Sequence, residues 1–238
     1  MEAEPYMYQG RWEDVIRVGE EGLRAAWEIL EWTPIYFISA WTGLAYLKLG
    51  RLEDARRVVS RAVREAGARA AIPFSITYLH VTLAQLHVQA GDTAAARKAI
   101  ELADQSRFRL EQGAARRVLG TVLAAAGHRE DADRELRTSL EILDEIQSRP
   151  ELAQTLLAYG RFKLADDAAG SRAMIERALR LFEDMGATGW IDEARTTLAH
   201  SAGFSFTSRS STATEKSTGA SDALEAPSLT GPCLLEVS

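Results

Sequence analysis

Residues 43–66 read GLAYLKLGRLEDARRVVSRAVREA, with Gly at 43 and 50, Tyr at 46 and Ala at 55 and 62. With Gly50 taken as the turn between two helices, Ala55 lies five residues on and Ala62 twelve on. The same frame recurs from four other anchors. Gly10 gives Val15 and Gly22, Gly91 gives Ala96 and Ala103, Gly127 gives Ala132 and Ser139, and Asp166 gives Ser171 and Ala178. At plus nine stand Gly19, Val59, Ile100, Leu136 and Ile175, four of them bulky and apolar. The anchors are 40, 41, 36 and 39 residues apart, the range in which helical solenoids repeat.

Two antiparallel helices approach closely only where one presents small side chains to the other. Positions plus five and plus twelve lie two turns apart on one helix face. The frame therefore predicts a close-packed helical hairpin in each copy, with the plus-nine side chain filling the groove between copies. A glycine at the anchor suits the left-handed residue that commonly ends a helix. Thr33-Pro34, Ile72-Pro73 and Arg149-Pro150 each open a first helix, because proline lacks an N–H where none would be paired. Helices are expected near 11–30, 34–49, 52–67, 72–90, 92–107, 110–126, 129–147, 150–165, 171–185 and 189–201, and no period-two strand pattern appears.

The expected organisation is one repeat domain over residues 1–203 and a tail over 204–238. Residues 205–221 are mostly Ser and Thr, and Pro227, Gly231 and Pro232 follow; such a segment cannot build a core and is expected to be disordered. At the other end only nine residues precede Gly10. The helix that should pair with 11–30 is thus expected to be mostly missing, leaving an apolar face bare. The chain then reads as a piece of a longer protein, and self-association through the incomplete end stays open.

Composition narrows the function. The net charge of −6 argues against wrapping a nucleic-acid backbone. No apolar run reaches the roughly 18–20 residues that span a bilayer. The single cysteine, Cys233, cannot form an intramolecular disulfide, which with the absence of a leader pattern points to the cytoplasm.

The spacing resembles the tetratricopeptide repeat, whose Gly-x-x-Tyr element, turn glycine and two alanines are matched by Gly43, Tyr46, Gly50, Ala55 and Ala62. The present copies are longer than the usual repeat of about 34 residues. Longer copies of this kind are similar to those of large bacterial signalling proteins, in which a cyclase, kinase or similar output domain and a P-loop ATPase precede the repeats. Regulators of the maltose-activator type carry similar repeats. The run Ala178–Ala187 with Trp190 and Glu193-Ala194-Arg195 resembles the C-terminal end of such proteins. No P-loop pattern and no C-terminal helix-turn-helix accompany the repeats here. The resemblance implies an all-α, right-handed tetratricopeptide-like α-solenoid of antiparallel helix pairs, with first helices lining a concave groove.

The candidate chemistry is thin. His80 and His87 are seven apart, a poor spacing for one metal ion, and read as packing or groove residues. Asp166-Asp167 and Asp131/Asp133 suit helix capping better than acid–base work. Arg51, Arg56, Arg57, Arg61, Arg64 and Arg69 alternate with Glu53, Asp54 and Glu65, the pattern of a solvated face or a partner contact. Among the tryptophans, Trp12 reads as core and Trp32, just before Pro34, as the best interface residue. No catalytic, cofactor or metal constellation emerges. The expected function is a protein–protein interaction scaffold without catalysis of its own, the regulatory or sensor segment of a larger bacterial signalling protein. Its groove would receive a protein or peptide partner at Tyr36, Trp41, Tyr46, Tyr78, His80 and His87. The alternative is a sensor that holds a small-molecule inducer in the same groove.

Overall fold

The computed structural model describes residues 3–67, 73–87, 93–106 and 108–211, which form eleven helices and no strand. They are α1 (Ala3–Gln9), α2 (Trp12–Ile29), α3 (Trp32–Lys48), α4 (Leu52–Gly67), α5 (Pro73–Leu86), α6 (Ala94–Ser106), α7 (Arg109–Ala125), α8 (Arg129–Glu145), α9 (Arg149–Lys163), α10 (Ala168–Asp184) and α11 (Thr188–Ser211). Each even-numbered helix packs between the odd-numbered helix before it and the one after it, and α1, α3, α5 and α7 each pack on the next odd-numbered helix. The result is a two-layered α-solenoid of adjacent helix pairs. Helices α3 and α5 carry few charges and bury side chains on most of their circumference. Helices α2, α4 and α8 are charged on one side only, as surface helices are. Among the described residues no helix is long and apolar enough to cross a membrane.

The repeat frame is built into the core. The plus-five residues Val15, Ala55, Ala96, Ala132 and Ser171 are all 0% exposed, and so are Ala62, Ala103, Ser139 and Ala178 at plus twelve. Gly10, Gly50 and Gly127 adopt φ of +71°, +72° and +83°, the left-handed turn that a side chain resists. Gly91 lies outside the described residues. At the fifth anchor Asp167 caps α10 instead, accepting from the Gly170 amide at 2.9 Å.

The plus-nine residue does something other than expected. A Cβ on Gly43 would lie 2.3 Å from Val59, one on Gly120 2.6 Å from Leu136, and one on Gly160 2.6 Å from Ile175. The bulky side chain thus sits on the small residue of its own hairpin rather than between copies, because a glycine there lets the two helices close over it.

The ends also differ from expectation. Residues 3–9 form α1, which packs on α2 and α3, and Met7 is 3% exposed. The face expected to be bare is covered. Helix α11 runs to Ser211, past the expected end near 201 and into the tail expected to be disordered over 204–238; residues 212–238 of that tail lie outside the described residues.

Helix α11 also reaches α1, so the array comes round to its own start. The C-terminal end of α1 abuts the N-terminal end of α11. A Cβ on Gly189 would lie 2.3 Å from the Gly10 carbonyl oxygen. The Trp12 and Trp190 rings meet edge to face at 5.2 Å, and the Lys48 Nζ sits 4.2 Å above the Trp190 ring centre. This clasp adds Trp190 and Glu193 to the wall of a groove that stays partly open to solvent.

Candidate functional site

The inner face of α3, α5, α7, α9 and α11 lines a cleft of about 250 Å³. Its walls are Leu44, Leu47, Val118, Leu157 and Trp190, and its polar side chains are Lys48, Gln85, Arg117, Gln154, Arg161 and Glu193. A narrower lobe continues from it between Trp41, Tyr78, Thr82, Ala114 and Glu151, with Leu44, Gln85, Arg117 and Gln154 shared by both parts.

Two sets of ion pairs order the lining. Arg117 donates to the Glu151 carboxylate at 2.6 Å and to its main-chain carbonyl at 3.3 Å. Both residues are buried, at 8% and 3% exposure. Towards the clasp, Lys48 donates to Glu193 Oε2 at 2.8 Å and Arg161 to Glu193 Oε1 at 2.7 Å. Arg161 also donates through Nε to the Thr197 hydroxyl at 3.0 Å. Burial pulls the Lys48 ammonium down, and the Glu193 charge only partly restores it. Burial alone would push the Glu193 carboxyl up, but Lys48 and then Arg161 hold it below its usual range. Gln85 keeps its buried Oε1 without a hydrogen-bond partner, and such an orphaned acceptor is costly unless a donor arrives.

Glu111, in the first turn of α7, is 2% exposed, and its Oε2 has no hydrogen-bond partner. Burial pushes this carboxyl up to about 7, and the Glu151 charge adds to the rise. Between its ordinary value of 4.5 and about 7 the folded state keeps a proton that the unfolded chain has lost. Its contribution to stability is therefore complete below pH 4.5 and fades as the pH rises towards 7. Glu111→Gln is expected to flatten that stretch of the pH–stability curve. At pH 8 it should raise stability by on the order of 2 kcal/mol. Urea unfolding across the pH range checks both; a variant with the wild-type slope contradicts the assignment.

The expected partner residues divide. Trp41 and Tyr78 line the narrow lobe, and burial holds the Tyr78 phenol well above its ordinary range. Tyr36, at 2% exposure, packs in the core between α3, α4 and α5. Tyr46, at 1%, is turned towards α2, where its hydroxyl donates to the Glu20 carboxylate. Burial first and that hydrogen bond second push Tyr46 up to about 12. His80 is half-buried near Lys98 of α6, and burial and then that charge pull its pKa down. His87 closes α5 in the turn. Tyr36, Tyr46, His80 and His87 are not among the residues lining either part of the cleft.

The reason is angular. Leu44, Gln85 and Thr121, six before their anchors, face the cleft. Tyr46, His87 and Leu123, four before, are rotated by about 200° from them. Selecting aromatic and histidine side chains passed over Lys48, Arg117, Glu151, Arg161 and Glu193. These charges share no common offset from the repeat anchors, so the repeat frame gave no signal for them.

No protein-family model and no curated protein matches the chain. The structure is similar to the crystal structure of BtubC (BKLC) from P. vanneervenii, with a TM-score of 0.52 at 14% sequence identity. The match covers 92% of this chain and 97% of that one. A likeness at that identity speaks for the fold alone.

Proposed function

We propose that the chain is a protein–protein interaction module, a right-handed tetratricopeptide-like solenoid whose inner cleft holds a short extended segment of a partner protein. The observation that carries this reading is the cleft lining itself. Five successive inner helices contribute to it, and two amides, Gln85 and Gln154, stand between aliphatic walls with the Gln85 acceptor unpaired. Amides on two separate inner helices suit the alternating donors and acceptors of an extended main chain. Trp41 and Tyr78 offer an aromatic recess for one partner side chain. The setting is the regulatory or sensor segment of a larger bacterial signalling protein in the cytoplasm, with no catalysis of its own.

A peptide library presented to the full chain tests this. The wild type is expected to enrich one sequence pattern, and a Gln85→Ala, Gln154→Ala variant with unchanged thermal unfolding is expected to lose it. Enrichment that the double variant keeps, or none at all, overturns the reading.

One observation favours a second reading, an inducer sensor. The clasp brings Trp190 and Glu193 to the cleft and the buried Arg117–Glu151 pair lines it, a partly open site just below the usual size of ligand pockets. A small molecule that raises the melting temperature of the wild type but not of the double variant, with no peptide enriched, would select it.

A further inference from the structure

Beside the narrow lobe of the cleft stand two buried carboxyl groups, and one of them has no cation. Glu111 lies in the first turn of α7 and Glu151 in the first turn of α9, on two helices that pack together. Arg117 neutralises Glu151, and that pair lines the lobe. Glu111 lies one turn before Ala114, another lining residue, on the same face of α7. Its Oε2 meets no donor.

The polar bonds nearby close without it. The Ser139 hydroxyl of α8 donates to the Gly113 carbonyl at 2.8 Å and lies 3.2 Å from the Thr155 hydroxyl. Thr155 and Arg117 both donate to the Glu151 carbonyl. These bonds tie α7, α8 and α9 together around Glu151 and leave Glu111 outside them. Among the described residues nothing that faces Glu111 offers it a counter-charge. Helix α9 brings Glu151, which disfavours its ionised form. Helix α5 brings the Tyr78 phenol, which burial and then the carboxylates about it keep protonated. The charges that α6 and α8 bring to α7 meet other residues: Asp104 and Glu135 lie by Arg116, and Glu145 by Arg109.

An ionised Glu111 therefore depends on the solvent that reaches the lobe. A segment that fills the lobe displaces this solvent and makes the ionised form costlier. The protonated form carries no such cost. We infer that the inner cleft is a proton-coupled site: the chain takes up a proton at Glu111 as a partner segment fills the lobe, and lets the segment go as that proton is lost. This rests on the segment-binding reading of the cleft. Coupling between two binding events is reciprocal, so the occupied cleft holds the proton more tightly and a rise in pH weakens binding. Glu111 itself touches no segment; it acts through Ala114 and Glu151, which line the lobe.

A random peptide library presented to the full chain at pH 6 and at pH 8 provides the probe. Enrichment is expected at pH 6. Titration calorimetry of an enriched peptide should show about tenfold weaker binding at pH 8, the fall in the protonated fraction of a carboxyl that titrates at about 7. Heats in two buffers of different ionisation enthalpy should reveal proton uptake on binding. Glu111→Gln, an uncharged amide of the same size, should bind at both pH values as the wild type binds at pH 6, without proton uptake. Equal affinity at both pH values, tighter binding at pH 8, or a pH dependence that Glu111→Gln keeps overturns the coupling and leaves segment binding standing. A library that yields nothing at either pH overturns the segment-binding reading and the coupling with it. If Glu111→Gln does not fold, the wild-type heats decide, and binding without proton uptake overturns the coupling.

Discussion

Glu151→Ala is expected to destabilise the protein by about 3–5 kcal/mol at neutral pH. The substitution leaves the Arg117 guanidinium at 8% exposure without the carboxylate it now meets at 2.6 Å. Removing one member of a buried pair leaves a desolvated charge, a far larger cost than the net worth of the pair. The pair joins α7 to α9, so the loss should appear in cooperative urea unfolding rather than as fraying at one end. A double variant, Arg117→Met with Glu151→Leu, should recover most of the stability, since similar volume without charge is tolerated in a core. A single-variant loss below about 1 kcal/mol, the range of exposed pairs, would mean that water reaches Arg117.

Gly189→Val should open the clasp. Its Cβ would stand 2.3 Å from the Gly10 carbonyl oxygen and 2.9 Å from the carbonyl carbon. Both obstacles are main chain, so no rotamer change relieves them, and overpacking of this kind costs about 1–3 kcal/mol. The strain is released by moving the two ends apart, which also separates Trp12 from Trp190 and Lys48 from Glu193. Hydrogen exchange should therefore speed up in α1 and the first turns of α11 while α7 to α9 keep their protection. Small-angle scattering should report a larger radius of gyration. Uniformly faster exchange would show that the contact supports the whole array rather than joining its ends.

The sequence is most informative where one residue type has one physical use. Ala55, Ala62, Ala96, Ala103 and Ala132 are spaced for close helix contact, and each is 0% exposed. Gly50 and Gly127 stand where a left-handed turn is needed and adopt it. The prolines at 73 and 150 lie in the first turn of α5 and α9. Local geometry selects these residues, so local pattern recovers them.

The candidate site was less legible for the opposite reason. Facing the cleft is a matter of phase on helices that are apolar nearly all round, and a shift of two residues moves a side chain to the far side. Tyr46 and Leu44 differ by that step. Helix α1 was hidden because seven residues are too few to show a period. Its stability comes from α2, α3 and α11 rather than from its own sequence.

By itself, the sequence determined an all-helical array of hairpins, their turns and the small residues at their contacts, because these follow from interactions within a few tens of residues. Only the tertiary structure decided that the ends meet, that Lys48 reaches Glu193 and that Arg117 is neutralised by Glu151. Those partners lie 145 and 34 residues apart. What brings them together is the summed rotation of successive hairpins, and a small change in each packing angle would move the last helix away from the first.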